Sequence, residues 1–203
     1  MKTRDGIECL NFPCQDTRRA SYFIPDIAMD ANRVSVLLIS EANPENMSDH
    51  YYAGPEALFA RTTLLAFQDA GAEVQSIQDI SDLGVYLTTA VKCGKTGYGI
   101  ATPTIEHCSH LLENEIALFP NVKVFLLMGD VAIKAVNLIA KRNGEPRVIP
   151  AGSTYKIRDG VFTFRGARAL PSYVQAGPAF FVEKSKRKMI ADDIRKALKI
   201  ADL

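Results

Sequence analysis

Three groups of residues in this 203-residue chain have the types and spacing to do chemistry. The first is the four cysteines, Cys9 and Cys14 near the start, Cys93, and Cys108 fifteen positions further on. Four thiolates meeting in space would hold an iron-sulfur cluster or a structural zinc ion. Only the first pair approaches the tight spacing of a zinc knuckle, so four inert buried thiols are the alternative. The second group is Glu41 and Asn43 in the stretch VSVLLISEANPE. A carboxylate or an amide there can hold a water for attack on a substrate, or both can simply tie down their own loop. The third is a set of polar and basic residues flanking the predicted cleft edge: Lys95, Tyr98, Arg165, Arg168, Ser172 and Tyr173. Cations among them can meet phosphates, and Tyr173 or Val174 can wedge into a base stack. The run GKTGYG at 94–99 lacks the spacing of a phosphate-binding P-loop.

These residues need elements to position them. Val34 to Ser40 reads as a buried strand that runs out at Glu41 into a loop, with Pro44 holding Asn43 extended. His50, Tyr51 and Tyr52 follow in that loop, and a helix begins near Pro55, with Phe59 and Leu65 as core residues. Val85 to Val91 and Val122 to Met128 are further buried strands, each followed by a helix, the first opened by Pro103 and the second ending at Gly144. Arg158-Asp159-Gly160, between Tyr155–Ile157 and Val161–Phe164, predicts a hairpin. Ala167 to Leu170 predicts another strand, and Lys184 to Ala201 an amphipathic helix packed on the sheet. Strands alternating with helices imply an α/β fold: one domain over 1–203, a three-layer sandwich with a mainly parallel central sheet, preceded by an irregular arm over 1–31. The loops after Ile39, Val91, Met128 and Leu170 then share one edge, where such sheets form a ligand crevice.

The formal net charge of +1 neither supports nor excludes a nucleic-acid partner. No apolar run approaches the roughly 20 residues of a membrane span, and the first residues lack the apolar segment of a signal peptide. A cytoplasmic monomer with reduced cysteines is expected, in which grouped thiols are better read as metal ligands than as disulfides.

The order of these segments resembles the uracil-DNA glycosylase superfamily, and most closely its iron-sulfur branch, the thermophile-type family 4 enzymes. The segments are Cys9 and Cys14, then SEANPE at 40–45, TTAVKC at 88–93, EHCSHLLENE at 106–115, VKVFLLMGDVA at 122–132 and LPSY at 170–173. The resemblance implies a DNA partner, hydrolysis of the N-glycosidic bond of a damaged or deaminated base, and a 4Fe-4S cluster on Cys9, Cys14, Cys93 and Cys108, with zinc or no metal as alternatives. It implies catalysis by Glu41 or Asn43, base stacking by Tyr51 or Tyr52, and DNA contacts by Lys95, Arg168, Ser172 and Tyr173.

The chain departs from the family in three places. Thr89 stands where the family reads uracil with an asparagine, and a hydroxyl cannot supply the paired contacts of an amide. Leu170 stands where the family has the histidine that stabilises the leaving base. The first cysteines are separated by four residues rather than two. A non-catalytic nucleic-acid-binding member of the same fold is therefore the rival expectation, and His50 is a candidate to replace the missing histidine.

Overall fold

The structure is a computed structural model that describes residues 7–203, so the first six residues of the expected arm lie outside the described residues. Four strands form the parallel core of one six-stranded sheet: β2 (Val36–Asn43), β3 (Val85–Lys95), β4 (Val124–Met128) and β6 (Ala167–Ser172). Two short strands, β1 (Thr17–Arg18) and β5 (Phe162–Phe164), close the edges in antiparallel fashion, giving the order β1-β3-β2-β4-β6-β5.

Both faces of the sheet are covered, which is why its strands read as continuous aliphatic runs. Alternate residues of β2 divide between two cores. Leu37 and Ile39 pack toward α3 (Thr102–Ile116) and α4 (Asp130–Arg142), whereas Val36 and Leu38 pack toward α1 (Leu58–Asp69), α2 (Ile77–Asp82) and α7 (Lys184–Ala201). This is the predicted α/β three-layer arrangement, with the last helix at its predicted limits. Two single-turn helices complete it, α5 (Thr154–Ile157) and α6 (Ala179–Val182). Among the described residues no helix is long and apolar enough to cross a membrane.

Three local expectations are corrected. The first strand does not stop at Ser40: β2 continues to Asn43, its register against β3 shifting between Ala42 and Asn43, so Glu41 and Asn43 are strand residues. Tyr155–Ile157 forms a helical turn and not a strand, because the next residue, Arg158, is drawn onto α7, where it binds the Asp193 carboxylate and the Met189 carbonyl. The hairpin lies one step later than Asp159-Gly160. Its turn is Arg165-Gly166, both at positive φ (50° and 80°), as a two-residue turn matching the twist of its strands requires. The helix α2 went unpredicted, although Ser76 and Asp79 form the reciprocal capping box that marks such a start.

Candidate active site

The strand order reverses at β2, which has β3 on one side and β4 on the other, although the chain visits β2, β3 and β4 in turn. A crevice at such a switch point is where open α/β sheets take ligands. Here a cavity of about 410 Å³ opens at the carboxyl ends of β2, β4 and β6, lined by Glu41, Gly129, Asp130, Ser172, Tyr173 and Lys186 among others.

Glu41 is half-buried in that wall, and its carboxylate meets the first turn of α4, where the Val131 N–H points at Oε1 from 3.5 Å. A helix N-terminus favours negative charge. Burial nevertheless raises the Glu41 pKa; Lys95 and the backbone N–H groups of Val131 and Asp130 oppose the rise, and the Asp130 carboxylate adds to it. A half-buried carboxyl group of raised pKa beside backbone donors is a candidate for proton transfer. Gly129 makes room for it with φ +100°, a conformation that side-chain-bearing residues rarely adopt.

On the far wall, Ser172 Oγ donates to Asp193 Oδ2 (2.6 Å), and Arg158 binds the same carboxylate at 2.7 Å. Burial raises the Asp193 pKa, opposed by Ser172 and Arg158. This cluster fixes the end of β6 to α7. Tyr173 lies half-buried beneath Lys186, whose Nζ stands 5.4 Å above the ring. Phe181 and Val182, which sequence reasoning passed over, are exposed beside the same crevice. Their neighbours Phe180 and Glu183 line it, and Lys184, Lys186 and Arg187 follow directly. Two exposed apolar residues next to a run of cations were the available signal.

Of the residues predicted for the site, Glu41, Ser172 and Tyr173 meet at the crevice, and Lys95 is close enough to act on the Glu41 charge. Others lie elsewhere. Asn43 is buried, its Nδ2 donating to the carbonyls of Lys92 (2.7 Å) and Phe23 (2.9 Å) while Oδ1 accepts from Thr89 Oγ1 (2.8 Å). Asn43 and Thr89 therefore bind each other and the backbone. Leu170 sits beside Leu126 in the sheet and is 1% exposed, a core residue. Arg168 pairs with Val124 at the amino end of β4, four residues from Ser172 and on the opposite edge of the sheet from the crevice.

Tyr51 is buried. Its hydroxyl meets Ser40 Oγ at 2.5 Å and accepts from Gln175 Nε2 at 3.1 Å, closing a polar network beneath the end of β2. Tyr52 turns to the outer edge of β3, where its hydroxyl bonds both the N–H and the C=O of Leu87. Both tyrosines border a separate cavity of about 590 Å³ between the arm, α1 and α2. His50 is 2% exposed, packed against Phe23 at 4.5 Å between ring centroids, and its Nε2 finds no partner in the structure. Burial, with Lys92 adding to it, lowers its pKa to about 3.

Sequence reasoning also missed a buried ion pair. Lys92 Nζ meets Glu115 Oε2 with both side chains within 1% of full burial, and the hydroxyls of Tyr86 (2.6 Å) and Thr88 (2.9 Å) donate to the same carboxylate. It clamps α3 to β3.

The four cysteines are all free thiols and line one small cavity of about 120 Å³. The arm is drawn to it by β1, by Gly94 N–H donating to Ser21 Oγ (2.8 Å), and by Asp16, which accepts from Ala101 N–H (2.6 Å) and the Thr104 hydroxyl (2.5 Å). Burial and the other sulfurs push Cys93 up to about 12, with a weak opposing bond from Thr17; Cys108 rises to about 11 for the same main reason. Among the described residues no group of three or more His, Cys, Asp or Glu is set to hold a metal ion. In kind and number, four cysteines lining one cavity are the donor set of a thiolate-held cluster or of a tetrahedral zinc ion.

Among curated proteins, no sequence match is found. A profile of the uracil DNA glycosylase superfamily matches residues 28–192.

Proposed function

The chain belongs to the uracil DNA glycosylase superfamily, and from that membership we propose that it hydrolyses the N-glycosidic bond of a damaged or deaminated base in DNA. The observation that carries the reading is Glu41, a half-buried carboxylate of raised pKa in the wall of the switch-point crevice. In this reading Glu41 takes a proton from a water as its oxygen bonds the anomeric carbon, the carbon–nitrogen bond breaks, and the base leaves with the bonding pair. Lys95 and Lys186 supply positive charge for the flanking phosphates.

We place the chain in the iron-sulfur branch, with Cys9, Cys14, Cys93 and Cys108 holding a 4Fe-4S cluster that fixes the arm and the end of β3 against α3. The cavity that all four cysteines line supports a thiolate-held group there. A cytoplasmic monomer completes the proposal.

One set of observations favours a second reading, a nucleic-acid-binding protein without catalysis. Leu170 is in the core, Thr89 binds Asn43, and Tyr51 and Gln175 fill the space beneath the end of β2. Among the described residues, no histidine lines the crevice.

The test is excision from oligonucleotides carrying one uracil, hypoxanthine, xanthine or mismatched thymine, single-stranded and duplex, alongside iron and sulfide analysis of protein prepared without oxygen. Abasic product lost in Glu41→Gln supports the enzyme. No product from any lesion, with salt-sensitive DNA binding, moves the protein to the second reading. Absence of iron in folded protein removes the cluster.

A further inference from the structure

We propose that His107 is a positioning residue of the thiolate centre, donating a hydrogen bond from Nε2–H to the Cys9 sulfur and thereby raising the reduction potential of the cluster held there. This rests on the iron-sulfur reading above. Cys9 Sγ and His107 Nε2 stand 3.5 Å apart, although 98 positions separate them in the chain. A thiolate bound to iron has only lone pairs to offer, so the contact is favourable when Nε2 carries the proton. The helix α3 thus presents Cys108 as a ligand and, one residue earlier, a donor to a ligand on the arm.

The surroundings fix this pairing. Cys9 is 7% exposed and packed with Ile7, Ile24 and Leu111, and its backbone N–H donates to Tyr22 Oη at 3.1 Å. Phe12, within the four-residue stretch between Cys9 and Cys14, takes a positive φ of 41°. Its ring stands edge-on to Tyr22 at 5.0 Å, and the Arg19 guanidinium lies 4.3 Å from its centroid. With four residues between them, Cys9 and Cys14 both line the cavity, as does Phe12.

Reduction adds one electron from an external reductant, breaks no bond and places more negative charge on the sulfurs. An N–H donor to one of them stabilises the reduced form more than the oxidised form, and the potential rises.

Wild type, His107→Gln, which keeps a side-chain N–H, and His107→Leu, which does not, are to be prepared anaerobically. Each is assayed for iron and sulfide and titrated with dithionite, the reduced fraction being followed by absorbance and electron paramagnetic resonance. The expected result is equal iron in all three, a lower midpoint potential in His107→Leu, and a potential nearer wild type in His107→Gln. Three equal potentials at full iron loading overturn the proposal and leave the cluster reading standing. Loss of iron from His107→Leu alone overturns it too, since His107 is then needed for assembly. A wild type without iron overturns the cluster reading and this proposal together.

Discussion

The Cα of Gly129 faces the Glu41 carboxylate so closely that a Cβ built there stands 2.6 Å from Oε1 and 2.5 Å from Val174 Cγ2. Gly129 also has φ 100° and ψ 168°, a region essentially reserved for glycine. Gly129→Ala therefore has two effects. The backbone is strained, at a cost of about 1–3 kcal/mol, and the flexible Glu41 side chain is pushed from its place beside α4. Urea denaturation reads the first. Excision rate per folded molecule reads the second, with a loss of order 100-fold expected for displacement by about 1 Å.

Asn43 and Glu41 are separated by one residue and differ in what they are free to do. The Asn43 amide holds Lys92, Phe23 and Thr89 together, and with them the arm and β3. Asn43→Ala leaves buried carbonyls short of a donor, and a loss of about 1–3 kcal/mol in stability is expected. Limited proteolysis in the arm should rise with it. Activity per folded molecule should change little, whereas Glu41→Gln should lower it by about 10²- to 10⁴-fold with the urea midpoint nearly unchanged. The reverse pattern would assign the water to Asn43.

The contrast between these neighbours bears on what the sequence made legible. Aliphatic runs ending in polar residues showed the parallel strands and the crevice at their ends, because a sheet buried on both faces leaves little choice of residue. Nothing in S-E-A-N-P distinguishes the side chain that faces the crevice from the one that faces the arm. That depends on the register shift at Ala42/Asn43, a property of pairing with β3. Leu170 and Arg168 were misplaced for a related reason. Their strand was recognised, but the face Leu170 takes is set by packing of the sheet, and Arg168, second in that strand, belongs to its amino end, away from the crevice. The Lys92–Glu115 pair was hidden because its members are 23 positions apart, one in a strand and one in a helix.

That pair makes its own prediction. Lys92 and Glu115 are both out of water, so removing one leaves the other charged and uncompensated. Lys92→Met should cost about 3–5 kcal/mol. The double variant Lys92→Met with Glu115→Leu should recover most of that loss, despite the partner removed from the Tyr86 and Thr88 hydroxyls. A thermodynamic cycle from urea denaturation gives the coupling. Additive losses would mean the two charges do not depend on each other.

His50 makes the fold less stable as pH falls. Burial holds its folded pKa at about 3, with the Lys92 charge contributing, against about 6.5 in an unfolded chain. Below pH 6.5 the unfolded chain takes up a proton that the folded protein refuses, so stability falls as pH falls. The loss from this group should approach about 1.4 kcal/mol per pH unit and cease once pH drops below the folded value. Above pH 6.5 His50 contributes no pH dependence, since it is neutral in both states. His50→Phe keeps an aromatic ring against Phe23, Tyr51 and Tyr52 and removes the titration. Urea midpoints measured between pH 7 and pH 4 should fall more steeply for the wild type than for His50→Phe, and the difference should vanish at pH 7.5. Parallel curves would show that the folded protein takes up the proton as readily as the unfolded chain.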